Sequence, residues 1–237
     1  MLLIDIGNSA IKVGQVFARR LEKVTAYAIA GQNVKTIVED IISNQSGKIM
    51  IANTNKTPNL ESSLPLHSDI TFIKSVRASK GLTNGYKNHQ QLGIDRWLNM
   101  LYAWSGVNNA CCVISCGTCI TYDQIDANGQ HLGGLILPGS SLSKKSLENL
   151  LGIKAKTCKS TTLGLDTQSA LGCGIRFFES GLIENLLEYF KTTNPDISSH
   201  ENIFITGGNA KLYTRNLKTK INLVDNMVLL GMLQTAY

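Results

Sequence analysis

The 237-residue chain has only four prolines and two tryptophans; aromatic residues make up 6% of it and charged residues 17%. No apolar run approaches the roughly 20 residues that a membrane-spanning helix needs, so no membrane role is expected. Met1–Ile6 is apolar, but Asp5 interrupts it and no basic segment precedes it, so it is not read as a secretory leader. No lysine and arginine run carries interleaved aromatics. Lys144-Lys145 and Lys154–Lys159 are short and scattered, so the net charge of +6 reads as solvated surface with no nucleic-acid partner. Six cysteines (Cys111, Cys112, Cys116, Cys119, Cys158, Cys173) without a leader predict a reduced, cytoplasmic chain with small buried thiols. Cys116-Gly-Thr-Cys119 is formally C-x-x-C, yet Ile120-Thr121-Tyr122 follows it. That favours a strand, with the thiols on opposite faces, over the helix start that activates a redox thiol. Neither a second C-x-x-C nor a nearby histidine pair completes a zinc site.

What is present is a hydrophobic fraction of 43%, enough for one or two domains with real cores. Residues 2–6, 10–17 and 21–28 read as three strands joined by tight turns. Val34, Ile37, Val38, Ile41 and Ile42 recur at helical spacing over 33–44. Short strands at 48–52 and 70–73 follow, separated by a polar loop over 53–68, and a second loop over 81–91 feeds a helix over 94–104. The pattern then restarts. Strands at 111–115, 119–125 and 131–137 precede helices at 142–151 and 166–190, a polar linker at 191–200, a strand at 203–206, a helix, a strand near 221–224 and a last short helix. Two α/β lobes are therefore expected, at 1–108 and 109–237, with the seam near 106–109.

Both lobes open on one motif. Apolar residues lead to a variable position, then to Gly7-Asn8-Ser9 in the first copy and Gly117-Thr118-Cys119 in the second. Glycine lets the backbone approach a phosphate closely, because it has no Cβ and tolerates positive φ. Asn8 and Ser9 add donors, Lys12 adds a cation, and Asp5 is placed to hold Mg²⁺. The competing reading is an ordinary hairpin with a surface acid. Gly207-Gly208 ends a strand at a helix start, where backbone N–H groups favour phosphate. Gly133-Gly134 and Pro138-Gly139 flank an apolar strand and make room for a close backbone or ligand approach. Gly93-Ile94-Asp95-Arg96 opens a helix. Asp95 reads either as an acid favoured by the helix dipole with Arg96 as its surface partner, or as a proton acceptor beside an anion-binding arginine.

The order of motifs resembles the type III pantothenate kinases of the acetate and sugar kinase, heat-shock ATPase and actin superfamily. It runs D-x-G-N-S…K at 5–12, N-G-Y at 84–86, Q-L-G-I-D-R at 91–96, C-G-T at 116–118, H-L-G-G-L-I-L-P-G at 131–139, D-T at 166–167 and T-G-G-N-A at 206–210. The resemblance implies a duplicated ribonuclease H-like, actin-like ATPase fold and ATP-dependent phosphorylation of pantothenate, the first step of coenzyme A synthesis. It implies ATP contacts at Asp5, Ile6, Gly7, Asn8, Ser9, Ala10, Ile11, Lys12 and Thr118, to which the strand-end reading adds Gly207 and Gly208. It implies pantothenate contacts at Tyr86, Gly93, Ile94, Asp95, Arg96 and Thr167, with Asp95 as the proton acceptor. It further implies a homodimer with its site at the subunit interface, Mg²⁺, and a monovalent cation, K⁺ or NH₄⁺. One position departs from the family pattern. Ser115 stands where the family usually has the aspartate associated with that cation, and Asp123 is the candidate substitute acid. The alternatives are a catalytically weakened relative with a regulatory or accessory role, which Ser115 alone favours, and a redox protein.

Overall fold

Leu2–Ile6 (β1) is the central strand of a mixed sheet, and every residue in it is buried except the partly covered Asp5. In this computed structural model, which describes residues 1–43, 45–55, 57–64, 69–158, 163–194, 202–215, 217 and 219–237, Ala10–Phe17 (β2) and Arg20–Ala28 (β3) follow β1 as an antiparallel meander. The predicted amphipathic helix is Val34–Ser43 (α1), with Val34, Val38 and Ile42 buried. Ile49–Asn53 (β4) then pairs parallel with β1. Inside the region predicted as loop, Leu60–Ser63 (α2) makes one helical turn pinned by buried Leu60. Ile70–Ile73 (β5) completes the sheet in the order β3-β2-β1-β4-β5. Ile4, Ile6, Ile11, Ile49 and Ile51 join α1 in one core, and each such side chain contributes about 1.5–3 kcal/mol when fully buried.

The second predicted loop holds a small hairpin, Ala78–Ser79 (β6) with Leu82–Thr83 (β7), and a 3₁₀ turn at His89–Gln91. Gly81 takes φ +81° at the tip, where the Trp104 indole donates to the Lys80 carbonyl at 3.2 Å. Helix Ile94–Val107 (α3) follows.

The second sheet repeats the first. Cys111–Cys116 (β8), Cys119–Ile125 (β9) and His131–Pro138 (β10) form a meander. Helices Ser140–Leu151 (α4) and Thr167–Thr193 (α5) lead to Ile203–Thr206 (β11), Ala210–Thr214 (α6) and Asn222–Leu223 (β12). The order β10-β9-β8-β11-β12 matches the first sheet strand for strand. Ile183, Leu186, Leu187 and Phe190 of α5 cover Cys112, Ile114, Ile120 and Ile205. Most of the expected 191–200 linker lies outside the described residues.

The chain divides into Met1–Gly106 with Asn226–Tyr237 as one unit, and Val107–Asp225 as the other. The expected second lobe, 109–237, is thus shortened. Its last helix, Met227–Ala236 (α7), belongs to the first unit. Gly231 is the reason it fits, since a Cβ there would stand 2.1 Å from the Leu98 carbonyl oxygen. Buried Leu229 meanwhile lies over Gly14, and Arg19 stacks on Tyr237 with 4.7 Å to the ring centroid.

Candidate active site

Asp5 lies near the C-terminal end of β1, paired in register with Lys12 on β2 and Ala52 on β4. Gly7–Ser9 form the turn, and the Gly7 N–H donates to the Ala10 carbonyl at 3.1 Å. Ile6 and Ile11 are fully buried, main chain included, whereas Asn8 and Ser9 are exposed. Two residues absent from the sequence reading brace this turn. The N–H and Oγ1 of Thr54 donate to the Ile6 carbonyl at 2.9 and 3.2 Å, and Asn55 Nδ2 donates to the Gly7 carbonyl at 3.0 Å. Their signal was the Asn-x-Asn that follows an apolar strand, an Asx turn in which Asn53 Oδ1 accepts the Asn55 N–H at 2.9 Å.

Asp95 occupies the first turn of α3. Its carboxylate folds back over Gly93, where a Cβ would lie 2.6 Å from Oδ1, so a bare glycine keeps that space open. Burial pushes the Asp5 carboxyl up to about 7; the charge of Asp95 adds to the rise and that of Lys12 opposes it. The structure therefore brings Asp5, Lys12 and Asp95 into one electrostatic group.

The next residue, Arg96, is buried, and its Nη1 donates to the Tyr86 hydroxyl at 2.8 Å. The loop that carries Tyr86 is held from behind by Arg77, whose guanidinium donates to the Tyr86 and Lys87 carbonyls at 3.1 Å each. Buried Asn84 accepts the Tyr86 N–H at 3.0 Å and donates to the Val76 and His89 carbonyls at 3.3 Å. Gly93, Ile94, Asp95, Arg96 and Tyr86 thus gather at the start of one helix. Arg77 was missed because its partners are carbonyls, which leave no mark in sequence.

In the second unit, Gly117 N–H donates to the Cys119 carbonyl at 3.1 Å, and Thr118 is exposed at the turn. Gly207 has φ +101°, and a Cβ there would stand 2.4 Å from the Cys116 carbonyl oxygen, so the Gly207-Gly208 turn sits directly against the end of β8. Gly139 is equally tight, with a Cβ position 2.6 Å from the Gly117 and Thr118 carbonyl oxygens. Thr167 is the exposed first residue of α5, whose N-cap Asp166 accepts the Ser169 N–H at 2.9 Å.

Ser115 pairs in register with Thr121 on β9 and Thr206 on β11, so three hydroxyl residues share one rung and one sheet face. Asp123 lies on the same face one alternation away, but it is buried and bound to His131 Nε2 at 3.0 Å. The C-x-x-C spans the hairpin turn. Cys116 is buried, with its thiol pushed up to about 12 by burial, while Cys119 is exposed. The reading of six separate buried thiols needs correction at three positions. Cys119 is exposed, and Cys158 and Cys173 form a disulfide with a Cα–Cα distance of 5.0 Å. The first turns of α5 bring the latter pair together, which their spacing in sequence does not reveal.

Solved structures share this architecture. A 2-dehydro-3-deoxygalactonokinase from Sinorhizobium meliloti superposes with a TM-score of 0.58 at 13% identity, covering 99% of this chain and 97% of its own. A Baf family transcriptional activator from Campylobacter jejuni gives 0.62 at 22% identity, covering 99% and 96%. Two like-ordered sheets, each with a glycine turn after its central strand, make up the actin-like ATPase and sugar kinase fold. Residues 1–189 match the profile of the type III pantothenate kinases. A protein of that description from Nitrosomonas eutropha is 28% identical over 98% of this chain and 92% of its own length. The chain belongs to the type III pantothenate kinase family.

Proposed function

We propose that the chain transfers the γ-phosphoryl group of ATP to the primary hydroxyl of pantothenate, the first step of coenzyme A synthesis. The observation that carries this reading is the gathering of Asp95, Asp5 and the Arg96–Tyr86 pair at the start of α3. Asp95 orients the hydroxyl and takes its proton as the new O–P bond forms and ADP leaves. In a loose transition state that proton moves late, so positioning is its main task. Arg96 receives the pantothenate carboxylate in its planar fork, with Tyr86 fixing the guanidinium and Gly93 and Ile94 completing the first unit's substrate contacts; Thr167, in the second unit, is the further contact that the family resemblance implies. The Asp5–Lys12 turn of the first unit offers a cradle for ATP phosphate oxygens, and the Thr118 and Gly207-Gly208 turns of the second unit offer phosphate donors of their own.

Asp5 suits a divalent cation. A carboxylate pair costly to ionise when alone is stabilised by a doubly charged ion that also binds phosphate oxygens, and Mg²⁺ typically needs only one or two protein carboxylates. When bound, that ion would neutralise phosphate charge. The donor set around Ser115 does not fit a tightly held monovalent cation. It is a neutral hydroxyl rung, and its nearest acid on that face, Asp123, is engaged by His131. The missing negative charge therefore weakens K⁺ binding relative to a site that keeps the aspartate.

Asp95→Asn tests the reading. It should retain ATP binding while kcat falls by about 10²–10⁴, and a wild-type kcat would remove Asp95 as the proton acceptor. The protein is further proposed to be a cytoplasmic homodimer. What supports pairing is the exposed apolar surface of Ile136, Leu147, Leu150, Phe177 and Phe178 in the second unit, beside a groove of about 590 Å³. Phe178→Glu should shift the mass measured by light scattering from dimer to monomer.

A further inference from the structure

Tyr86 holds Arg96 in two ways. Its hydroxyl accepts from Nη1 at 2.8 Å, and the guanidinium carbon stands 5.5 Å from its ring centroid. A guanidinium held by one phenol is placed by whatever places that phenol. Side chains of the same loop fix the Tyr86 main chain at both of its polar groups. The N–H donates to Asn84 Oδ1 at 3.0 Å, and the carbonyl accepts from Arg77 Nη1 at 3.1 Å.

The loop that carries Tyr86 is anchored at its base and at its tip. The buried Ser75 hydroxyl donates to the Leu92 carbonyl at 2.8 Å, and the β6–β7 hairpin is held through Lys80 by Trp104. Between these anchors, residues 84–88 belong to neither helix nor strand. The carbonyls of Asn84, Tyr86 and Lys87 turn to the Arg77 guanidinium, at 3.4, 3.1 and 3.1 Å. Nη1 serves the first two and Nη2 the third. Carbonyl oxygens gathered around one point repel, and a planar cation with several donors offsets that repulsion. The Asn84 N–H donates back to the Arg77 carbonyl at 2.9 Å, so the same segment fixes the arginine's own backbone.

We propose that Arg77 is a positioning residue that sets the preference for an anionic acceptor: it fixes the main chain of 84–87 and, through Tyr86, aims the Arg96 fork at a carboxylate. This rests on the pantothenate reading above. A misplaced fork loses one of its two parallel contacts, so the cost falls on substrates that carry the carboxylate and spares neutral ones. Lysine keeps the charge but lacks the two η nitrogens that reach different carbonyls here.

The test uses the full chain with Mg²⁺ and saturating ATP. KM and kcat are measured with pantothenate, and Ki with pantothenyl alcohol as competitor, in which a neutral CH₂OH replaces the carboxylate. In Arg77→Gln the pantothenate KM should rise about tenfold, the effect of losing one charge-assisted contact, with little change in kcat or in the KM for ATP. The Ki of the alcohol should stay near the wild-type value, so the ratio of that Ki to the pantothenate KM drops about tenfold with the lost contact. Arg77→Lys should lower the ratio by a smaller factor, and it decides the matter if the glutamine variant does not fold. An arginine that merely stiffens the loop would weaken both compounds equally, and an unchanged ratio would overturn the proposal. Wild-type turnover of pantothenate with such a ratio removes this inference alone, whereas a wild type that does not phosphorylate pantothenate removes the kinase reading and this inference together.

Discussion

Replacing Asp5 by asparagine should make the ligand-free protein more stable at alkaline pH, although it removes a residue proposed for ATP binding. Asp5 has an ordinary value of 3.8 and is pushed to about 7, chiefly by burial and then by Asp95. A carboxyl whose folded-state value is raised binds more protons in the native than in the unfolded state between those limits. Its stabilising contribution is complete below 3.8 and is lost as pH rises to about 7. Roughly three pH units at 1.36 kcal/mol each set a ceiling of about 4 kcal/mol. Water reaches part of this side chain, so about 2 kcal/mol is the working figure. Asparagine keeps the shape and an acceptor but never ionises. Urea unfolding at pH 5 and pH 8 should show Asp5→Asn gaining on the wild type as pH rises, and at pH 8 its Tm should lie roughly 4–8 °C higher. Saturating Mg²⁺ and ATP should reverse the order, because only the wild type gains from a ligand that binds the native state. Equal stability at pH 8, or a gap independent of pH, would refute the like-charge and burial argument.

Other outcomes follow from the same geometry. A K⁺ series at fixed Mg²⁺ and ATP should leave kcat/KM nearly flat, since Ser115 lacks charge and Asp123 is bound to His131; a strong saturable activation would contradict this. Gly207→Ala should destabilise the protein by about 1–3 kcal/mol or more in thermal unfolding, because φ +101° and a Cβ position 2.4 Å from the Cys116 oxygen both exclude a side chain.

Much of this architecture was legible. Helical spacing located Val34, Val38 and Ile42, and short apolar runs located β1, β4, β8 and β11, because burial on one or both faces imposes those patterns. The repeated glycine turn led to the two sheets of equal order. Distance in sequence hid the rest. The influence of Asp95 on Asp5 depends on where α3 begins relative to the end of β1. Arg77 and Asn55 act through main-chain oxygens that every residue has. The burial of Asp123 with His131 depends on the β9–β10 register and its irregularity between His131 and Gly133.

The return of α7 to the first unit has a consequence for synthesis. On the ribosome, residues 1–106 emerge first but lack Leu229, Gly231 and Met232, which are made only after the whole of 107–225. The first unit therefore waits with Gly14 and Leu98 uncovered, while the second, continuous in sequence, can fold as soon as it emerges. The contacts of α7 with Gly14 and Leu98 can form only after 107–225 has been made, so residues 226–237 supply the closing piece of the earlier-made unit.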